Sequence, residues 1–239
     1  MSSAEPRFLY LHGFASGPNS AKGVATALHF AARGVPVERL SLRLPSFEHL
    51  RVSAMIEHVK RTIGGPSERV VLFGSSLGGY VASRVAAEDA RVCSLVLLAP
   101  AFRLFERWRR RLGDDWQKWQ RTGWLEVDDH AEKRRSRVDF GFVEDAESLD
   151  AKDSGSPDVR VPVLIVHGTR DDTVDIEVSR EFAAGKRHVR LVEVDDGHDL
   201  LASMPLILRE AGSHLAGFLG GGHSTNTAPA MPDATWKSQ

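Results

Sequence analysis

The chain has 239 residues, 42% of them hydrophobic and 26% charged, which is the composition of a globular protein with a sizeable core. Its formal net charge of −1 gives no overall attraction to nucleic acids or anionic membranes. The single cysteine, Cys93, excludes an internal disulfide framework, and no apolar run is long enough to span a bilayer. We therefore expect one globular domain in the cytoplasm, with no nucleic-acid or membrane partner.

Short apolar runs alternate with amphipathic stretches along most of the chain. The apolar runs predict strands over residues 7–12, 37–42, 69–74, 92–98, 161–167 and 188–194. The stretches between them predict helices near residues 20–33, 48–63, 77–88, 174–184 and 203–218. Such alternation is typical of a parallel sheet with helices on both faces. We expect a minimal, mostly parallel sheet of about six strands.

A glycine-rich turn lies between the third strand and the helix that follows it. The turn reads GSSLGG over residues 74–79, so Ser76 has a glycine two residues before it and another two residues after it. In a nucleophile elbow, a serine on such a sharp turn exposes its hydroxyl, and small flanking residues let strand and helix approach. The spacing predicts Ser76, rather than Ser75, as a nucleophile and the N–H of Leu77 as a donor to an oxyanion. The alternative is an ordinary glycine-rich turn.

Candidate partners follow Ser76 along the chain in the order acid, then histidine. The strand over residues 161–167 runs into a turn that contains Asp171 and Asp172. Site residues of an open α/β sheet lie just past the carboxyl ends of its strands, where this turn is placed. The Asp-x-x-Val spacing resembles the acid turn of many hydrolases, which favours Asp171 and leaves Asp172 as the reserve candidate.

His198 is the candidate general base. It lies in a loop after the last strand, and Gly197 beside it allows a tight approach to the serine hydroxyl. His12 and His167 each end a strand in a His-Gly pair, where the ring is expected to pack or to bond within a loop. The other histidines are scattered without metal-ligand spacing, so no metal site is predicted.

These motifs resemble those of the α/β-hydrolase superfamily, over residues 6–219. The first strand ends in a His-Gly-Phe turn, residues 12–14, which is similar to the oxyanion loop after the first core strand of that superfamily. The segments YLHGFASGPNSAK, residues 10–22, and GSSLGGY, residues 74–80, are similar to those of the YqiA/YcfP-like group of small bacterial esterases.

The resemblance implies an α/β-hydrolase fold and a triad of Ser76, His198 and Asp171. It also implies that the N–H groups of Phe14 and Leu77 form the oxyanion hole. The expected activity is hydrolysis of carboxylic esters or thioesters of small to medium acyl groups, without a cofactor. Two alternatives stay open: another acyl-transfer, peptidase-like or C–C hydrolase reaction on the same triad, and a non-catalytic binding protein that kept the scaffold.

The segment over residues 102–158 interrupts the hydrolase core, which we expect to comprise residues 1–101 and 159–219. Aromatic residues recur in it at helical spacing, and it holds four of the five tryptophans. We expect a helical lid over the site. The residues expected to bind substrate are Trp108, Trp116, Trp119 and Trp124. The alternative, given equal weight, is that these aromatic rings only attach the segment to the body of the protein.

Two basic runs in this segment, residues 107–111 and 133–137, suggest a different hypothesis. Arginines interleaved with aromatic residues can grip phosphates and stacked bases. Acidic residues lie among them, however, which favours a solvated face with internal ion pairs. A narrower possibility is that one or two arginines receive an anionic group of the substrate. After the core, residues 220–239 have little to bury and many turn formers, which predicts a disordered tail.

Overall fold

The computed structural model describes residues 5–219. Its strands are β1 (Arg7–Leu11), β2 (Val37–Leu40), β3 (Val70–Ser75), β4 (Val92–Leu98), β5 (Trp124–Asp129), β6 (Arg134–Asp139), β7 (Val163–Gly168) and β8 (Val189–Val194). Its helices are α1 (Ala21–Ala31), α2 (Val52–Ile63), α3 (Leu77–Glu88), α4 (Leu104–Leu112), α5 (Asp114–Thr122), α6 (Gly141–Asp150), α7 (Glu177–Ala183) and α8 (Met204–His214). The tail over residues 220–239 lies outside the described residues.

Six strands form one parallel sheet in the order β2-β1-β3-β4-β7-β8. All six predicted strands are in it, and the prediction of a six-stranded parallel sheet is confirmed. Strands β3, β4 and β7 are buried along their whole length, because helices cover both faces of the sheet. From β1 the chain leaves toward β2, whereas from β3 it leaves toward β4. The carboxyl ends of β1 and β3 therefore border a topological switch point, where α/β folds bind ligands.

Alternate residues of each strand face opposite sides of the sheet. Leu9 and Leu11 of β1 belong to the core on the side of α2 and α3, which also takes in much of the segment over residues 102–158. Phe8 and Tyr10 belong to the core on the side of α1 and α8. The longest helices, α2 and α3, have 12 residues each, and among residues 5–219 no helix is long and apolar enough to cross a bilayer.

The segment over residues 102–158, called the insert below, contains α4, α5, the hairpin β5–β6 and α6. The insert, expected as a helical lid, therefore contains a β-hairpin in addition to its three helices. Its two strands pair antiparallel and set acidic residues of β5 opposite arginines of β6, with Glu126 facing Arg137 and Asp128 facing Arg135. Cross-strand pairs of opposite charge stabilise such a ladder. The basic run at residues 133–137 is thus largely balanced by its partner strand.

Buried ion pairs fasten the insert to the body of the protein. Asp129, whose side chain is fully buried, accepts two hydrogen bonds from Arg43, at 2.9 and 2.6 Å. Asp139, at the end of β6, accepts two from Arg51, at 2.7 and 3.0 Å. At the end of α6, the buried Arg84 of α3 pairs with Asp150 and Asp153 of the insert. The insert is therefore attached near both ends of the hairpin and again at the end of α6.

Candidate active site

The turn between β3 and α3 has the geometry of a nucleophile elbow. Ser76 adopts φ 52° and ψ −116°, a strained conformation that residues other than glycine rarely take. It is partly exposed, whereas the neighbouring Ser75 is buried. The strain at Ser76 therefore turns its hydroxyl out of the sheet at the point where the strand becomes a helix.

Two of the flanking glycines are required by close backbone contacts. A Cβ atom on Gly74 would lie 2.5 Å from the carbonyl oxygen of Gly78. A Cβ atom on Gly78 would lie 2.1 Å from the carbonyl oxygen of Leu11, at the end of β1. Neither distance is physically possible, so the glycine spacing around Ser76 allows α3 to start directly against two strands.

The structure brings Ser76, His198 and Asp171 into one hydrogen-bonded chain. His198 Nε2 lies 3.1 Å from Ser76 Oγ, and His198 Nδ1 lies 2.7 Å from Asp171 Oδ2. Because a carboxylate only accepts, Nδ1 carries the proton and Nε2 is left to accept the hydroxyl proton of Ser76. Asp172 is exposed and takes no part in this chain; its carboxylate accepts a hydrogen bond from the Thr173 hydroxyl.

Asp171 is held as a charged, fixed acceptor. Its side chain is fully buried, and its Oδ1 accepts the backbone N–H groups of Thr173 and Val174, both at 2.8 Å. Burial by itself raises the pKa of this carboxyl, but the hydrogen bonds from His167 and His198 outweigh burial and hold the pKa well below its usual range. The group is therefore ionised at neutral pH and can orient His198.

The loop that carries His198 is held close to the end of β7. A Cβ atom on Gly168 would lie 2.4 Å from the carbonyl oxygen of Asp196, so only glycine permits this approach. The Asp196 carboxylate in turn accepts the N–H groups of Gly197 and Ser203, at 2.8 and 2.9 Å. These contacts bring the histidine loop and the acid turn to one edge of the sheet.

Both N–H groups predicted to bind an oxyanion lie beside Ser76. Gly13 packs against the serine, since a Cβ atom there would be 3.3 Å from Ser76 Cβ, and Phe14 follows directly. Leu77 is the first residue of α3, where helix N–H groups lack partners within the helix. Among residues 5–219, the N–H of Phe14 and the N–H of Leu77 donate no hydrogen bond to a backbone carbonyl of a turn, loop or helix cap.

His12 stabilises the turn over residues 12–14. It is not part of the hydrogen-bonded chain formed by Ser76, His198 and Asp171. Its Nε2 accepts the N–H of Leu42 at 3.0 Å, so its Nδ1 donates to the carbonyl oxygen of Gly13 at 2.8 Å. Burial lowers the pKa of His12, which favours this neutral form. The prediction that His12 bonds within a loop is confirmed.

A cavity of about 640 Å³ opens at Ser76 and His198. One part of its wall is apolar and comes from Phe14, Leu104, Trp108 and Val127. Another part is charged, with Lys22, Arg111, Glu126 and Arg135. A second cavity, of about 840 Å³, shares Lys22, His130 and Asp199 with the first. The space beside the serine is therefore mixed in character, and a neighbouring cavity adjoins it at these shared residues.

Only one of the four tryptophans predicted to bind substrate lines this cavity, namely Trp108. Trp119 is fully buried and donates its indole N–H to the Val138 carbonyl at 3.0 Å, while Trp116 is 5% exposed. Trp124 lies against Arg137 on the hairpin, 4.0 Å from the guanidinium carbon to the ring centroid. The expectation is corrected for these three, because they pack within the insert and do not line the cavity at Ser76.

Two polar residues near the site were not recognised from the sequence. Lys22 donates to the carbonyl oxygen of His198 at 3.3 Å, and His167 Nε2 lies 3.2 Å from Asp171 Oδ2. The sequence feature that could have identified His167 is the His-Gly-x-x-Asp spacing at the end of β7. No group of three or more side chains suited to a metal ion occurs in the part of the chain that the structure describes.

Comparison with known families and structures agrees with this architecture. The family model described as "Uncharacterised protein family (UPF0227)" matches residues 7–209. Mouse alpha/beta hydrolase domain-containing protein 10 is 19% identical with a TM-score of 0.71, and the alignment covers 91% of this chain and 92% of that one. Esterase Pf2001 of Pyrococcus furiosus is 18% identical with a TM-score of 0.66, covering 91% of this chain and 83% of that one.

A third similar structure holds a ligand. Est1E from Butyrivibrio proteoclasticus, with ferulic acid bound, is 21% identical with a TM-score of 0.70, and the alignment covers 90% of this chain and 89% of that one. At such identities the likeness establishes the fold. The chain has the α/β-hydrolase fold, and the predicted resemblance to that superfamily is confirmed.

Proposed function

The chain belongs to the uncharacterised protein family UPF0227, and we propose that it is a serine hydrolase that cleaves carboxylic esters or thioesters. The observation that carries the proposal is the contact of His198 with both partners, 3.1 Å to Ser76 Oγ and 2.7 Å to Asp171 Oδ2. A histidine bridging a strained serine and a buried carboxylate is an arrangement that activates a nucleophile.

In the first half-reaction, Ser76 Oγ attacks the acyl carbon while His198 Nε2 takes the hydroxyl proton. The oxyanion of the tetrahedral intermediate then accepts hydrogen bonds from the N–H groups of Phe14 and Leu77. His198 gives its proton to the departing alcohol or thiol, which leaves the acyl group on Ser76. Asp171 stabilises the imidazolium that forms in between.

In the second half-reaction, a water molecule takes the place of the leaving group. His198 removes a proton from the water as it attacks the acyl-enzyme, and returns that proton to Ser76 Oγ when the acid is released. Every proton in this cycle passes through His198 Nε2. No metal or cofactor takes part in these steps.

The cavity supports small to medium substrates. Its volume of about 640 Å³ falls within the range of small-molecule sites. The apolar wall with Leu104, Trp108 and Val127 suits an acyl or aryl group, and Est1E, of the same fold, binds ferulic acid. Since Leu104, Trp108 and Val127 belong to the insert, we propose that residues 102–158 form a cap that sets substrate choice.

The proposal is tested by activity and active-site labelling together. The wild-type chain should hydrolyse members of a panel of p-nitrophenyl esters and acyl-CoA thioesters, and a fluorophosphonate probe should label it. Ser76→Ala should abolish both, whereas Ser75→Ala should keep measurable activity. Unchanged labelling of the Ser76→Ala variant, or a wild-type chain inert toward both panel and probe, would overturn the proposal.

A further inference from the structure

A second histidine, besides His198, lies next to Asp171. His167 is the penultimate residue of β7 and its side chain is fully buried. Its Nε2 lies 3.2 Å from Asp171 Oδ2 and 3.2 Å from the carbonyl oxygen of Val174. Its Nδ1 lies 2.7 Å from the hydroxyl of Ser179, a buried residue of α7.

These neighbours determine which nitrogen of His167 carries the proton. Both groups facing Nε2, the Asp171 carboxylate and the Val174 carbonyl, can only accept, so Nε2 is protonated. The Ser179 hydroxyl can donate, so Nδ1 accepts from it and the ring is neutral. Ser179 thereby holds His167 in the tautomer that donates to Asp171.

The result is an aspartate with donors beside both carboxylate oxygens. Oδ1 of Asp171 accepts two backbone N–H groups, and Oδ2 accepts from His198. The N–H of His167 Nε2 is shared between the Val174 carbonyl and Oδ2, with Nε2 3.2 Å from each oxygen. A carboxylate bound in this way cannot rotate about its last torsion without breaking several hydrogen bonds. The donor from His167 also withdraws part of the negative charge that Oδ2 presents to His198.

We propose that His167 is a positioning residue, which aims Asp171 Oδ2 at His198. The inference rests on the proposed function, because the orientation of His198 matters for catalysis only if it transfers protons. Other ionisable groups also face this cluster from the elements around it: Lys22 from α1, Glu193 from β8, and Asp196 and Asp199 from the His198 loop.

The decisive comparison is between two substitutions of His167. His167→Leu removes the donor and keeps an apolar side chain, while His167→Gln keeps an N–H donor near the position of Nε2. His167→Leu should lower kcat about tenfold with KM nearly unchanged. Glutamine should restore most of the loss. Ser179→Ala, which removes only the tautomer lock, should give a smaller effect in the same direction.

A matched control exists at the opposite end of the sheet. His214 of α8 forms a similar pair with Ser94 near the start of β4, with Nε2 2.9 Å from the serine hydroxyl. His214→Leu should lower thermal stability and leave kcat unchanged. Loss of a histidine that pairs with a serine is thereby separated from loss of the contact to Asp171.

The second readout is the NMR signal of the His198 Nδ1 proton, which is bonded to Asp171 Oδ2, in the full-length protein. If His167 aims that oxygen, the signal should shift or broaden in His167→Leu and stay in place in His214→Leu. An unchanged signal in His167→Leu, or a kcat equal to that of His214→Leu, would overturn the inference. The NMR measurement needs no substrate, so an inert wild-type chain defeats the proposed function without deciding this test.

Discussion

The indole of Trp108 lies edge-on against the phenyl ring of Phe14, with the ring centroids 5.0 Å apart and the planes at 84°. On its other side Phe14 stacks on Phe142, with centroids 5.9 Å apart. Trp108 and Phe142 belong to the insert, whereas Phe14 carries one of the N–H groups proposed to bind the oxyanion. The insert therefore packs directly onto the turn over residues 12–14, through contacts that favour well-defined ring positions.

Trp108→Ala should change the ranking of esters by chain length without erasing activity on the smallest one. Trp108 forms part of the apolar wall of the cavity, so its loss widens the space for the acyl group. The check is kcat/KM over a series of p-nitrophenyl esters. Trp119→Ala is the control: its buried ring should cost about 3–5 kcal/mol of unfolding free energy and affect all esters alike. If Trp108→Ala behaves in that same way, Trp108 serves only to attach the insert.

Asp171→Asn should be far more damaging than Asp172→Asn. An amide at residue 171 cannot accept from His198 Nδ1 with the strength of a carboxylate, and kcat/KM should fall by about 10³–10⁴. Asp172 is exposed and its carboxylate accepts only from the neighbouring Thr173 hydroxyl, so its loss should change kcat/KM by less than about threefold. Steady-state kinetics at neutral pH decides the matter, and the reverse ranking would exchange the two roles.

Gly78→Ala should disrupt the elbow although it adds a single methyl group. The new Cβ would lie 2.1 Å from the Leu11 carbonyl oxygen, so α3 must shift and move the N–H of Leu77. We expect fluorophosphonate labelling of Ser76 to slow by about 10²-fold, the scale of losing one oxyanion donor. Gly65→Ala, where the Cβ meets nothing within 4 Å, is the matched control. Equal labelling rates in the two variants would show that the elbow tolerates the shift.

The contact of Arg43 with Asp129 should make the stability of the protein depend on pH. Hydrogen bonds from Arg43 lower the pKa of Asp129. A carboxyl with a lower pKa in the folded state contributes stability above its unfolded pKa of about 3.9, and the contribution is lost as pH falls through the folded pKa.

Arg43→Met leaves the carboxylate of Asp129 buried without that partner. At pH near 7 it should lower the free energy of unfolding by about 3 kcal/mol. Near pH 2–3 the difference from wild type should shrink, since without Arg43 the buried Asp129 is protonated there and no longer carries an unpaired charge. Urea unfolding at the two pH values measures this, and a difference that is the same at both would contradict the assignment.

The sequence by itself determined the sheet and the candidates for chemistry. Strands β3, β4 and β7 are covered on both faces, which requires continuous apolar runs that can be read directly from the chain. The elbow around Ser76 can also be recognised from the sequence, because only glycine fits at residues 74 and 78, where the chain contacts neighbouring backbone. Both signals are local: each depends on a few consecutive residues and the element they form.

Only the tertiary structure decided the rest. The hairpin β5–β6 is stabilised by charges that face each other across strands, such as Asp128 and Arg135, and along the chain these resemble a solvated surface. Which tryptophan reaches the cavity depends on how α4 and α5 are turned against the body. The two histidines on Asp171 come from β7 and from the loop after β8. Contacts between distant segments leave no periodicity in the sequence, so folding alone brings them together.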